Sequence, residues 1–328
     1  MKRASLPVLF SLSLLAACGG SNDDDGSNSG NPPLGAAAPI TSGNGLLVAQ
    51  VTYQSASSSG DVAGLAASNG LTGTSGGGLY KPAVNQPGII DSLMQVAIPE
   101  IVSPCAVSGT VTISGNLEDP ITPTLTAGDT IRADYDNCDD GIGEIIDGTI
   151  DFEVDAFSGD ALGGLYDMTM TLLLDNFQVT TADDVLLANG DGTASLNTLQ
   201  APYVEAAVSG QSMLTASNTS TETLSNYSSA QTFDGTLSPA PYTLLTSGTL
   251  DSSQLNGSVT YSTPVMFEGF DANYPYVGEM LIVGEASSAR LIAQENAIDV
   301  VIEIYSNSTG EGTPDETIMT TWAELAGL

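Results

Sequence analysis

The stretch GTIDFEVD, residues 148–155, alternates at every position, with Ile150, Phe152 and Val154 interleaved with Asp151, Glu153 and Asp155. Side chains of a β-strand point to opposite faces in turn, so this period of two puts the apolar groups on one face and the carboxylates on the other. A helix would scatter both sets around its circumference. DMTMTLLL, residues 167–174, repeats the pattern with Met168, Met170, Leu172 and Leu174, and comparable runs cover 111–113, 131–135, 259–261, 280–283 and 298–304. Glycine, asparagine and aspartate separate them. One-faced strands joined by short turns make antiparallel sheet. The chain is therefore expected to be all-β, a large antiparallel sheet arranged as a sandwich or an open barrel, with one or two short helices. The helix candidates are GIIDSLMQVAIPE, ended by Pro99, and WAELAGL at the end of the sequence.

The start of the chain follows different rules. Lys2 and Arg3 precede an apolar run from Leu6 to Leu15, the charged start and short hydrophobic centre of an export signal. The run falls short of the roughly 20 apolar residues that span a bilayer as a helix. Leu15, Ala16, Ala17 and Cys18 resemble the bacterial lipoprotein signal, which implies cleavage after residue 17 and acylation of Cys18 as a membrane anchor. Gly19 follows the cysteine where an aspartate would hold such proteins at the inner membrane, so the resemblance implies the outer membrane. Residues 18–45 are rich in serine, asparagine, glycine, aspartate and proline and read as a flexible tether. Residues 46–328 read as one extended β domain, with a looser boundary near residue 200.

Loss of the leader leaves Lys81, Arg132 and Arg290 against 39 carboxylates, a charge of −36. Nucleic-acid binding rests on lysine and arginine neutralising phosphates, which three scattered cations cannot do. Histidine is absent, so the Ser-His-Asp and Cys-His arrangements have no base, and the usual zinc sites lack their ligands. Residues 73–77, GTSGG, fit the nucleophile-elbow pattern but have neither the preceding strand nor the downstream histidine it needs, and read as loop. Paired carboxylates leave glycoside hydrolysis as a remote alternative, but aromatic sugar platforms are scarce, with Trp322 the single tryptophan. No cofactor is expected.

With Cys18 acylated, Cys105 and Cys138 remain as an even pair in an exported chain, and they are expected to form a disulfide. The layout Cys105, Ser108-Gly109-Thr110, Gly128-Asp129, Asn137-Cys138 and Gly148-Thr149 resembles a module of uncharacterised β-rich lipoproteins of Gram-negative bacteria, as does the C-terminal strand pair around an acidic loop near Trp322. The resemblance implies a β-rich fold and an envelope address, and brings no activity with it. In that C-terminal loop it also implies calcium, but Tyr305 and Thr309 replace two acidic ligands, leaving Asn307 and Glu316 as weak candidates. Asp136, Asp140 and Asp147 form a second weak divalent-cation candidate around Cys138.

Two internal stretches echo each other, YDNCDDGIGEIIDGTIDF and LDNFQVTTADDVLLANGDGTASL, each a strand, an Asp-Asn step, an acidic turn and a strand. The resulting expectation for function is a non-catalytic binding or scaffold module on the outer membrane. The alternative is a lipid or hydrocarbon carrier that uses Met168, Met170, Leu172 and Leu174 as an apolar concave face.

Overall fold

The alternation over 148–155 falls inside β4 (Ile145–Asp160), where Ile150, Phe152 and Val154 are buried and the acidic side chains face outward. The computed structural model describes residues 35–68, 100–117, 125–139, 141, 145–160, 164–181, 185–270, 273–308 and 310–326. Cys18 and the leader, the loop at 73–77, the helix expected to end at Pro99, Asp140 and Thr309 lie outside the described residues.

Around β4 lie β1 (Ile101–Pro104), β2 (Ser108–Asn116), β3 (Thr130–Asp139), β5 (Leu165–Thr180), β6 (Val185–Asn197) and β7 (Tyr203–Ala216). The chain continues through β8 (Thr221–Asp234), β9 (Pro241–Ser252), β10 (Gly257–Phe270), β11 (Val277–Gly284), β12 (Ser287–Ala293), β13 (Asp299–Tyr305) and β14 (Glu316–Thr321). These form one 14-stranded sheet in which every strand pairs with its neighbours in sequence, and the sheet is not closed into a barrel. All its ladders are antiparallel, as short turns require. At residue 200, where a looser boundary was expected, a turn joins β6 and β7, and the two strands pair along most of their length.

The two echoing stretches have a structural counterpart. Asn137 and Asn176 both take left-handed backbone angles at register shifts, and a third asparagine, Asn226, does the same in β8. Asparagine tolerates that conformation better than other non-glycine residues, and each such bulge bends its strand. Gly148 faces the Asn176 bulge with φ +92°, and a Cβ there would sit 2.1 Å from the Asn176 carbonyl oxygen. The repeated asparagines therefore mark a crease that runs across the sheet.

The stretch read as one extended β domain opens with a helix that the sequence pattern does not reveal, α1 (Gly45–Ser68). Asn44 caps it: its carbonyl accepts the Val48 N–H, and its side chain turns back to the Thr41 N–H and the Pro39 carbonyl. Gly45 lets the helix start against β13, since a Cβ there would sit 2.2 Å from an Ile304 side-chain carbon. Val48, Ala49, Val51, Thr52, Tyr53, Ser55, Ala56 and Ser57 are all buried. Over 48–57 the buried positions lie on nearly every side of the helix, so no single apolar stripe reveals it. It touches β6 to β9 as well as β12, β13 and the C-terminal helix α2 (Trp322–Ala326), so the sheet must curl around it.

Within residues 18–45, read as a tether, residues 36–40 dock on the sheet. Ala38 and Ile40 are buried, and backbone bonds link Ala38 to Ser258 and Glu285 and Ser258 to Ala36. Two apolar residues and a short strand-like bridge suffice to dock a stretch whose composition reads as coil.

The expected C-terminal helix is present as α2. Thr321 and Glu324 cap it reciprocally, the Glu324 N–H donating to Thr321 Oγ1 and the Thr321 N–H to Glu324 Oε2. That cap directs Trp322 inward. Its ring lies 5.1 Å from that of Tyr53 on α1 and 5.6 Å, edge-on, from that of Phe267, and its Nε1–H donates to the Pro275 carbonyl. Large aromatic side chains bury the most apolar area, and indole burial needs such a polar partner.

Candidate functional site

Cys105 and Cys138 meet as expected, their Cα atoms 5.5 Å apart, in a disulfide that ties the turn after β1 to the end of β3. The cation candidates are distributed differently. Asp136 accepts from the neighbouring Asn137 amide on β3, and Asp147 sits on β4 opposite Gln178. Asn307 is exposed between β13 and β14, while Glu316 begins β14 opposite Ile304. The turn that holds Asn307 is organised by Asp315, whose carboxylate accepts the Ser306 N–H, and by Ser308, whose hydroxyl donates to the Glu311 carbonyl. Tyr305 donates to Glu303. Among the described residues, no group of three or more Asp, Glu, Cys or His side chains gathers at metal-binding distance.

Both arginines among the described residues are committed to carboxylates within the sheet. Arg290 on β12 forks onto Glu279 of β11 through Nε and Nη2, each bond 2.8 Å, and reaches Glu303 of β13 at 3.9 Å. This planar two-point contact is the stronger kind of ion pair. Arg132 on β3 makes a more exposed, single-sided pair with Asp151 at 3.2 Å.

Two further features need long-range register and so escaped a reading of the sequence. The first is on the outer face. Thr171, Thr193, Ser209, Ser228 and Ser247 are directly opposite one another, strand after strand, from β5 to β9. They are exposed or half-buried, and the hydroxyls of Ser228 and Ser247 bond at 2.8 Å. The adjacent row, Thr169, Ser195, Ala207, Ala230 and Leu245, is also uncharged. From β6 to β9 this is an uncharged, hydroxyl-lined strip, with strands spaced about 4.8 Å apart, while at its β5 end Thr171 lies opposite Glu153 and donates to Asp155 at 3.0 Å.

The second feature is inside, where α1 meets the sheet. Ser55 touches both its own helix, at the Val51 carbonyl, and Oε2 of Glu222 on β8. Burial pushes the Glu222 carboxyl above the ordinary carboxylate range, and the bond from Ser55 acts in the opposite sense without offsetting it. Gln50 and Gln54, also on α1, donate to the Glu324 and Leu325 carbonyls of α2. Tyr227 on β8 lies under the crease and donates to the Asp191 carbonyl, and burial, aided by the charge of Asp191, pushes its phenol up to about 12. The helix is thus held by polar contacts as well as by apolar packing.

No family model matches this chain, and neither a curated protein nor a solved structure matches it.

Proposed function

We propose that this chain is a non-catalytic binding or scaffold module of the cell envelope, anchored in the outer membrane through acylated Cys18 and working through the outer face of β5 to β9. The observation that carries the reading is the in-register hydroxyl row from Thr193 to Ser247, an uncharged strip of hydrogen-bonding groups that ends at Thr171, whose hydroxyl donates to exposed Asp155. Interfaces between proteins are depleted in charge at their centres, which weighs against the acidic turns. The carrier alternative assigns Met168, Met170, Leu172 and Leu174 to an accessible concave face. All four are buried, which weighs toward a structural role for that face.

Fractionation of cells that express Cys18→Ala tests the anchor. The variant should leave the membrane fraction for the soluble one, while the wild type stays with the outer membrane through a salt wash. Equal retention of both would overturn the lipid anchor.

A further inference from the structure

Ser55 has one hydroxyl proton and faces two acceptors. Its Oγ lies 2.8 Å from the Val51 carbonyl oxygen and in hydrogen-bond contact with Glu222 Oε2. A hydroxyl donates once, and an ionised carboxylate has no proton to give. With Glu222 ionised, Ser55 must turn its proton to the carboxylate, give up the Val51 bond and leave a largely buried charge with one donor. With Glu222 protonated, its O–H donates to Ser55 Oγ and the Ser55 O–H donates to Val51. Both contacts are then made, and no charge is buried.

Among the described residues, the surroundings of Glu222 offer the ionised form no compensating cation. Glu222 pairs with Thr215 on β7 and with buried Ser252 on β9, and α1 carries no charged residue from Gly45 to Ser57. Asp251, the neighbour of Ser252, belongs to the other face by strand alternation and accepts the Gly35 N–H there. On α2, the Glu324 carboxylate is engaged at Thr320 and Thr321. Arg132 and Arg290, the arginines among the described residues, are paired on β3 and β12.

We propose that Glu222 is a proton-operated latch for α1: as a neutral acid it donates to Ser55 and holds the helix on β8, and loss of that proton leaves an uncompensated carboxylate at the interface and loosens the helix. The displaced acidity fixes the sign. A carboxyl that releases its proton later in the folded state than in the unfolded one contributes stability in acid, and that contribution is lost as the pH rises through the folded value. The device is independent of the anchor and of the outer-face strip.

Trp322 is a built-in reporter, because it is the single tryptophan and packs against Tyr53 of α1. Its emission is followed in the full chain from about pH 4 to about pH 9, a range that brackets ordinary and displaced carboxyl groups. Wild type should show a red shift centred above the ordinary carboxylate range. Glu222→Gln, whose amide can donate to Ser55 at every pH, should show none there, and at about pH 8 should melt about 2–4 °C higher than wild type. Identical titrations in the two proteins, or a flat wild-type signal, would overturn the latch. Infrared difference spectra of wild type across the same range should show a protonated-carboxyl band that is lost together with the fluorescence step, and its absence would also overturn the latch whatever the variant does.

Discussion

The two faces of this sheet use the same backbone for opposite ends. On the inner face, Phe267, Ile282, Leu291, Ile302 and Trp322 are completely buried and close around α1. On the outer face, the same strands carry Arg290 with its two glutamates, and farther along the sheet the hydroxyl row from Thr171 to Ser247. The inner face packs against the chain's own helix and aromatic cluster, and the outer face is the one we propose for recognition. Substitutions on the two faces should therefore differ in kind. Inner ones should cost stability, and outer ones should cost the fold little except where they break the half-buried pair of Arg290 with Glu279.

The largest effect is expected from Trp322→Ala, which removes the side chain shared by α2, Tyr53, Phe267 and Tyr274. Loss of a buried aromatic costs about 3–5 kcal/mol, which a urea titration would read as a lower midpoint. A loss under about 1 kcal/mol, typical of surface positions, would remove the distinction between the faces.

The ion pairs sharpen the comparison on the outer face. Arg290→Met should cost about 1.5–3 kcal/mol, because its two short bonds to Glu279 are made to a charged group that is only 12% exposed. Arg132→Met should cost no more than about 1 kcal/mol, because its pair with Asp151 is solvated on both sides. Parallel denaturant titrations of the two variants measure the gap, and equal losses would show that strand position, not geometry, sets the value of a pair.

A smaller effect should come from Glu324→Gln. Hydrogen bonds from Thr320, then from Thr321, hold the Glu324 carboxyl below its ordinary value. A depressed folded-state value gives a contribution present above the unfolded value and lost as pH falls through the folded one. The variant should melt below wild type at neutral pH, and the two should converge in acid. A gap that persists in acid would mean that the cap acts through packing rather than through charge.

How much of this was legible in the sequence follows from how local each feature is. The strands of β4 and β5 were readable because one face is wet, and wetness writes a period of two into 148–155 and 167–174. The C-terminal helix was expected from the local run WAELAGL and lies there as α2, and the Thr321–Glu324 cap that starts it is equally local. α1 was not readable, because a helix enclosed by sheet needs small and polar residues on every side, and its Val51-Thr52-Tyr53 step favours strand. The asparagine echo was visible, but its meaning as a line of left-handed bulges required the pairing register. Contacts such as Ser55 with Glu222, 167 residues apart, leave no local trace.

Photo-crosslinking from position 209 in intact cells tests most directly whether the outer face is the working one. A photoreactive side chain in place of Ser209 should yield a discrete adduct, and Thr193→Glu, which sets a charge directly opposite in the hydroxyl row, should abolish it while shifting the unfolding free energy by no more than about 0.5 kcal/mol. No adduct from position 209, or an adduct indifferent to Thr193→Glu, would contradict the proposal that this face binds a partner.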